Sequence, residues 1–370
     1  MYPESFATPS PLDRALQTLM QGSFQDRWDI AKIIPGLGEE SIAPLGQLLQ
    51  HPDSEVRWFA ARILGEFNHP QAINFLVELL ATPEEELRAI ASKSLAKLGE
   101  QNIPTLAARL GDPATRLLVV QALSQIYSEE IVPPLLGVIG DKDEMVRTTA
   151  IAALQSYEAP EIIPVLIHVL TDPVASVRCE AVTGLGLLAS RSQPPVEVQD
   201  LVKLLTPYLR DLNLDVAQRT AIALRRIGTD LAVVSLGEFL CQNSAPLNLQ
   251  IEIIRQLGWI AQTSVFPYLQ WGLDQGSPEL WLEIVISLGR LETLKNPACK
   301  FLVNLLDTKH PALARTDIRQ ALASSLGHLR EPAGRAALVQ LLDDPERSVQ
   351  LHSQFALSLL PPEPESVSQL

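Results

Sequence analysis

The sequence has few of the residues that most often carry chemistry. Three of its 370 residues are cysteine, six are histidine, and aromatics make up 5%. Cys179, Cys241 and Cys299 are too few, and odd in number, for a disulfide framework, and they fit a reducing compartment. CxxC is absent, which leaves no zinc-ribbon or dithiol redox pattern. The histidines are scattered; His51, His69 and His310 each precede a proline, which places them in turns. HExxH, GxSxG and a P-loop are missing, so no catalytic, metal or nucleotide-binding residue is assigned. Lysine and arginine number 29 against 43 acids, a net charge of −14. That balance argues against a nucleic-acid partner, whose backbone needs clustered cations. No apolar run reaches the roughly 20 residues of a membrane-spanning helix. The N-terminal residues MYPESFATPSPLDR lack the basic and apolar regions of a signal peptide. The expectation is a cytoplasmic protein, monomeric when isolated.

What is present is a repeat. Residues 52–65, PDSEVRWFAARILG, read as a turn followed by an amphipathic helix. Asp53 is placed to cap it, and Val56, Ala60 and Leu64 fall at i, i+4 and i+8. The phrase returns at 143–154 and 174–186, and more weakly at 84–95 and 112–123. Its arginines are Arg57, Arg88, Arg116, Arg147 and Arg178, separated by 31, 28, 31 and 31 residues. A fixed period of this size marks stacked helix pairs with one continuous core. The first helix of each pair precedes the arginine phrase, and Pro44, Pro104, Pro133 and Pro164 recur near its start. GLG at 36–38 and again at 184–186 reads as helix-end punctuation.

The predicted fold is an all-α solenoid of about eleven helix pairs over residues 11–360, regular across 40–190 and divergent across 197–360. Residues 1–10 and 361–370 are expected to be disordered tails, and 191–197 a linker. In the divergent half the arginine position holds Ala217, Gln250, Trp281, Arg319 and Gln350.

The pattern D-x-x-V-R-x-x-A-x-x-A-L-G, sharpest from 53 to 186, resembles HEAT-like repeats. The short unit of about 31 residues resembles the phycobilisome-lyase subgroup of them. The resemblance implies a right-handed superhelix with one helix layer lining a concave surface. The subgroup includes cyanobacterial chromophore lyase subunits, phycobilisome-degradation factors and adaptors without chemistry. HEAT-repeat deoxyhypusine hydroxylases carry His-Glu pairs as iron ligands, and no such dipeptide occurs here.

Two sets of side chains follow from the register. The arginines lie inside the apolar arc, so each guanidinium must be paired. The turn acids Asp53, Glu84, Asp112 and Asp143 are the candidate partners, in their own or the neighbouring unit, giving a structural ladder of charge-assisted bonds. Counting Val56 as zero, positions 3, 6 and 10 point away from the arc. Early units place Phe59, Arg62 and Glu66 there, then Ile90, Lys93 and Lys97. Later units gather charge and one tryptophan: Glu180, Arg219, Arg226, Glu252, Arg255, Trp259, Glu283 and Arg290. Arginine and tryptophan rimmed by charge suit a binding hot spot for another protein; a solvated face with internal ion pairs is the alternative. The expected function is therefore a non-catalytic interaction scaffold without a cofactor. Two other readings stay open. One is a subunit of a bilin lyase or isomerase; the other is an iron–sulfur accessory protein sharing a cluster with a partner through Cys179.

Overall fold

The computed structural model describes residues 10–190, 197–242 and 245–361. Of the predicted tails (1–10 and 361–370) and linker (191–197), all but Ser10, Glu197 and Pro361 lie outside the described residues. Everything regular within them is helical, and no strand occurs among the described residues. Among the described residues, twenty-two α-helices follow one another in sequence, in line with the expected eleven or so pairs.

The chain forms two compact units, residues 1–168 and 169–370. The first contains α1 (Pro11–Gln21), α2 (Phe24–Ile33), α3 (Ile42–Leu48), α4 (Ser54–Leu64), α5 (Pro70–Leu79), α6 (Glu85–Leu98), α7 (Ile103–Arg109), α8 (Arg116–Ser124), α9 (Val132–Leu136), α10 (Glu144–Leu154) and nearly all of α11 (Ile162–Val169). Here α2, α4, α6, α8 and α10 pack side by side as one layer, with α3, α5 and α7 as the other. The second unit holds α12 (Ala175–Ala189), α13 (Val198–Leu205), α14 (Leu214–Ile227), α15 (Asp230–Cys241), α16 (Leu247–Leu257), α17 (Phe266–Gln275), α18 (Pro278–Leu288), α19 (Lys295–Asp307), α20 (Thr316–Leu329), α21 (Arg335–Gln340) and α22 (Arg347–Leu359). Its even-numbered helices from α12 to α22 form one layer, and α13, α15 and α17 pack in the other.

Local chemistry sets the helix starts. Ser10 and Asp13 close a reciprocal capping box at α1, and Ser23 with Asp26 repeats it at α2. Asp53 and Asp143 each accept a first-turn N–H, from Glu55 at 2.9 Å and Met145 at 2.8 Å. His51, His69 and His310 do sit in turns. Each ring Nδ1 accepts the backbone N–H two residues on, past the proline, at 3.1–3.2 Å. Gly38, with φ 102°, supplies the left-handed turn after the first pair. Val56, Ala60 and Leu64 are fully buried between the layers.

The second GLG differs from its reading as a helix end. Gly184 and Gly186 lie inside α12. A Cβ on Gly186 would stand 2.7 Å from the Cβ of Ala223 on α14. The same device recurs at four other junctions. Gly65 faces Ser94, Gly258 faces Ser287, Gly289 faces Ser325 and Gly327 faces Ala356, with an added Cβ meeting the neighbour's Cβ at 2.5–2.7 Å. At these five junctions, neighbouring even-numbered helices touch through one glycine and one small residue. Side-chain volume at either partner would separate them.

Candidate functional site

The repeat arginines perform up to two tasks. The first is a donation to the backbone carbonyl six residues earlier, tying the helix to its own turn. Arg57 reaches His51, Arg88 reaches Thr82 and Arg116 reaches Leu110; Arg147 reaches Asp141, Arg178 reaches Asp172 and Arg319 reaches Leu313, all at 2.6–2.8 Å. Most also reach a carboxylate of the following unit. Arg27 meets Asp53 and Glu55 at 2.7 Å, and Arg57 meets Glu84 at 2.5 Å. Arg116 bonds Asp141, Arg178 holds Asp211 through two bonds at 2.6 and 2.8 Å, and Arg319 grips Asp344 at 2.7 and 3.2 Å. Arg88 has only its turn carbonyls among the described residues.

The ladder exists, but two of its acids are not the ones the sequence suggested. Asp112 accepts from the N–H of Ala114 and the hydroxyl of Thr115, and Asp143 caps α10. The acids four residues before the arginine position stand at helix N-cap positions facing solvent: Asp53 and Glu84 are 38% and 42% exposed. The acids six residues before it occupy the buried turn corner. Asp141, Asp211 and Asp344 are 9%, 8% and 5% exposed, and they take the preceding unit's arginine. Burial alone would raise the carboxyl of Asp211. The Arg178 fork and the Asn213 N–H outweigh burial and hold it below the usual range. Asp53 is likewise lowered, chiefly by Arg27.

On the second unit, the predicted groove residues divide into three groups. Glu180, Arg219 and Glu252 line one cleft of ≈ 510 Å³, with Cys179 at its wall. Trp259 and Arg290 line another of ≈ 510 Å³ at the C-terminal ends of α16 and α18, with His328 opposite. Between the clefts runs a chain of ion pairs. Arg255 joins Glu252 at 2.7 Å to Glu283 at 3.1 Å, and Glu283 also lies 3.5 Å from Arg290. The Arg290 guanidinium stands 5.9 Å from the Trp259 ring, which is 56% exposed. Arg255 is therefore engaged within the unit, and Glu283 and Glu252 are only 13% and 14% exposed. Arg226 stands apart in the last turn of α14, half-buried and without an ion pair among the described residues.

The first unit departs from the register argument. Phe59, predicted to point outward, is fully buried, and Ile90 is 9% exposed. Phe59 packs beneath Phe24, Trp28 and Trp58. The signal for this cluster was present: four aromatics fall within residues 24–59 of a chain that is 5% aromatic.

The thiols are free. Burial pushes Cys299 up to about 11, and it also raises Cys179 and Cys241. Among the described residues no group of three or more His, Cys, Asp or Glu is placed to hold a metal. None of the helices searched is long and apolar enough to cross a membrane.

Residues 42–114 and 103–186 match the family model of HEAT repeats. The match spans residues 42–186, where the repeat is most regular. The periodic arginine, buried turn acid and glycine contacts run beyond the matched residues to α22, so the later pairs share the same construction. Solved structures agree on the fold. Kap95p, solved with RanGDP, aligns over 96% of this chain and 55% of its own length at 14% identity and a TM-score of 0.62. A Kap121p mutant aligns over 96% and 46%, at 14% identity and 0.60. Importin beta aligns over 95% and 55%, at 13% identity and 0.57. The chain spans about half the length of these proteins. At such identities they share its all-α solenoid fold and nothing finer. No curated protein matches the chain.

Proposed function

We propose that this HEAT-repeat protein is a non-catalytic scaffold, without a resident cofactor, that captures another protein on the second unit. The observation that carries this reading is Trp259. It is a large apolar ring, 56% exposed, beside a cleft and an arginine. Exposed tryptophan with adjacent arginine is the composition of binding hot spots. The neighbouring face supports the same role in a different way. Glu252, Arg255 and Glu283 satisfy one another, so they hold a rigid polar rim and demand little reordering when a partner arrives. The Cys179 cleft adds Glu180 and Arg219, a mixed-charge surface suited to register more than to bulk attraction. The Kap95p structure, solved with RanGDP, gives a protein-binding precedent for the fold. A setting in phycobilisome or photosynthetic assembly rests only on the resemblance of the short repeat unit to the phycobilisome-lyase subgroup.

Affinity capture from the source organism, with the full chain and Trp259→Ala compared by mass spectrometry, tests this. The expected result is a defined protein retained by the wild type and lost from the variant, with melting unchanged. Equal retention by both removes Trp259 from the interface. A visible-region absorption band on protein purified from its own host would instead identify a bilin carrier, and stoichiometric iron an iron–sulfur role.

A further inference from the structure

The first unit carries a second surface whose chemistry differs from that of the Trp259 face. Phe24 and Trp28 on α2 stack at 6.2 Å, and both close on Phe59 of α4, at 5.4 and 6.2 Å. Trp58 meets Phe59 edge-on at 5.1 Å. The buried Phe59 fixes the cluster from below, while Phe24 is 56% exposed. Arg62 lies on this ledge, its guanidinium carbon 4.4 Å from the Trp28 ring centre and 5.8 Å from that of Trp58.

The state of Arg62 decides what the ledge can bind. Among the described residues it makes no hydrogen bond and no ion pair. The acid in the same cleft is engaged elsewhere. Glu66 is held by Lys97 at 2.6 and 2.7 Å. The contrast is with Arg255, which two glutamates neutralise. An arginine stacked on indole keeps its N–H edge free, and that edge fits a carboxylate through two parallel bonds. Its rotamer freedom is already restricted by the rings, so less is lost on binding. The adjoining cleft, lined by Lys32, Pro35, Arg62 and Glu66, is ≈ 280 Å³. That is below the range of small-molecule pockets, roughly 300–1,000 Å³, and suits one side chain. With a chain charge of −14, a polyacidic segment is repelled at long range. A single carboxylate beside apolar groups is repelled far less.

We infer that the α2–α4 face docks a segment of a partner protein that presents one carboxylate to Arg62 and a neighbouring aromatic or aliphatic side chain to Phe24 and Trp28. This surface is independent of the Trp259 face.

The test uses two fluorescein-labelled heptapeptides: one with a glutamate between two phenylalanines, the other with glutamine in its place. Fluorescence anisotropy with the full chain is expected to show about tenfold tighter binding of the glutamate peptide. Arg62→Gln should abolish that preference, and Arg62→Lys should keep part of it. Trp28→Ala should weaken both peptides, and Trp259→Ala should change neither. Amide exchange in α2 and α4 checks that each variant is folded. The inference is overturned if both peptides bind equally, if neither binds at millimolar protein, or if the preference survives Arg62→Gln. Loss of the preference in Trp259→Ala would move the site to the second unit.

Discussion

Replacing Arg178 by methionine removes one rung of the ladder and keeps most of the side chain's length. Arg178 is 15% exposed and Asp211 8%. The variant deletes both bonds to Asp211 and the donations to the carbonyls of Asp172 and Pro173. The carboxylate of Asp211 then stays buried with the Asn213 N–H as its remaining donor. Breaking a buried pair from one side costs about 3–5 kcal/mol. With one backbone donor retained and some solvent access, a loss of about 2–4 kcal/mol is expected here. The pH dependence gives a second handle. In the wild type the Asp211 carboxyl is lowered, so its contribution is fully present above the ordinary aspartate value of about 3.9 and fades only as pH falls through its lower folded value. In the variant burial acts without the arginine and raises the carboxyl, so protonation begins earlier and relieves the penalty. The difference between the two proteins should therefore shrink between pH 7 and about pH 4.5. Repeat arrays open locally. Hydrogen exchange of the amides around the α13–α14 turn is thus the direct assay, with urea melts beside it. A difference under about 0.5 kcal/mol at pH 7, or one that grows as pH falls, would refute the argument.

Gly327→Ala brings a Cβ to 2.7 Å from the Cβ and 2.9 Å from the Cα of Ala356. The overpacking, about 1–3 kcal/mol, should exceed the helix-propensity gain of about 1 kcal/mol, so melting falls; an unchanged or higher melting temperature would show that α20 and α22 separate freely. Gln350→Leu removes the 2.7 Å donation to the carbonyl of Asp344 and should cost about 1 kcal/mol, read as faster exchange at the start of α22. Towards a thiol reagent at pH 7.5, half-buried Cys179 and Cys241 should react first. Buried Cys299, pushed up to about 11, should react only on unfolding; early labelling of Cys299 would contradict its burial.

The fold was legible because its period is written in residues whose physics is local. A capping aspartate, an arginine inside an apolar arc and a proline at a helix start each act within one unit, so reading one unit reads many. What escaped depends on the neighbour. Where a turn offers acids at both −4 and −6, the arginine goes to the one the turn buries. Asp143 and Asp141 are only two residues apart, and only Asp141 lies at the corner. Gly186 looked like a helix end because its partner, Ala223, is 37 residues away in the sequence. The outward face was misjudged at Phe59 because α2 brings two further aromatics over it.

The substitutions at the arginine position show which of its two tasks the fold requires more often. Where arginine is replaced, the carboxylate link disappears, yet the donation backwards usually remains. Gln250 gives its amide N–H to the carbonyl of Ala245 at 2.7 Å, and Gln350 gives its own to Asp344 at the same distance. Trp281 does the same with its indole, reaching Leu273 at 2.9 Å. Amide, indole and guanidinium share only a long reach and an N–H at the end. The common demand is thus a donor for a carbonyl buried at the turn, whose unmet cost is about 1–3 kcal/mol. The inter-unit ion pair is an addition that arginine alone can make. Ala217 is the exception: its methyl group donates nothing, although Arg178 of the preceding unit still forks onto the Asp211 carboxylate at that corner. The divergent half therefore keeps the backward donation with several side chains, while Arg255 and Arg290 lie on the exposed face around Trp259.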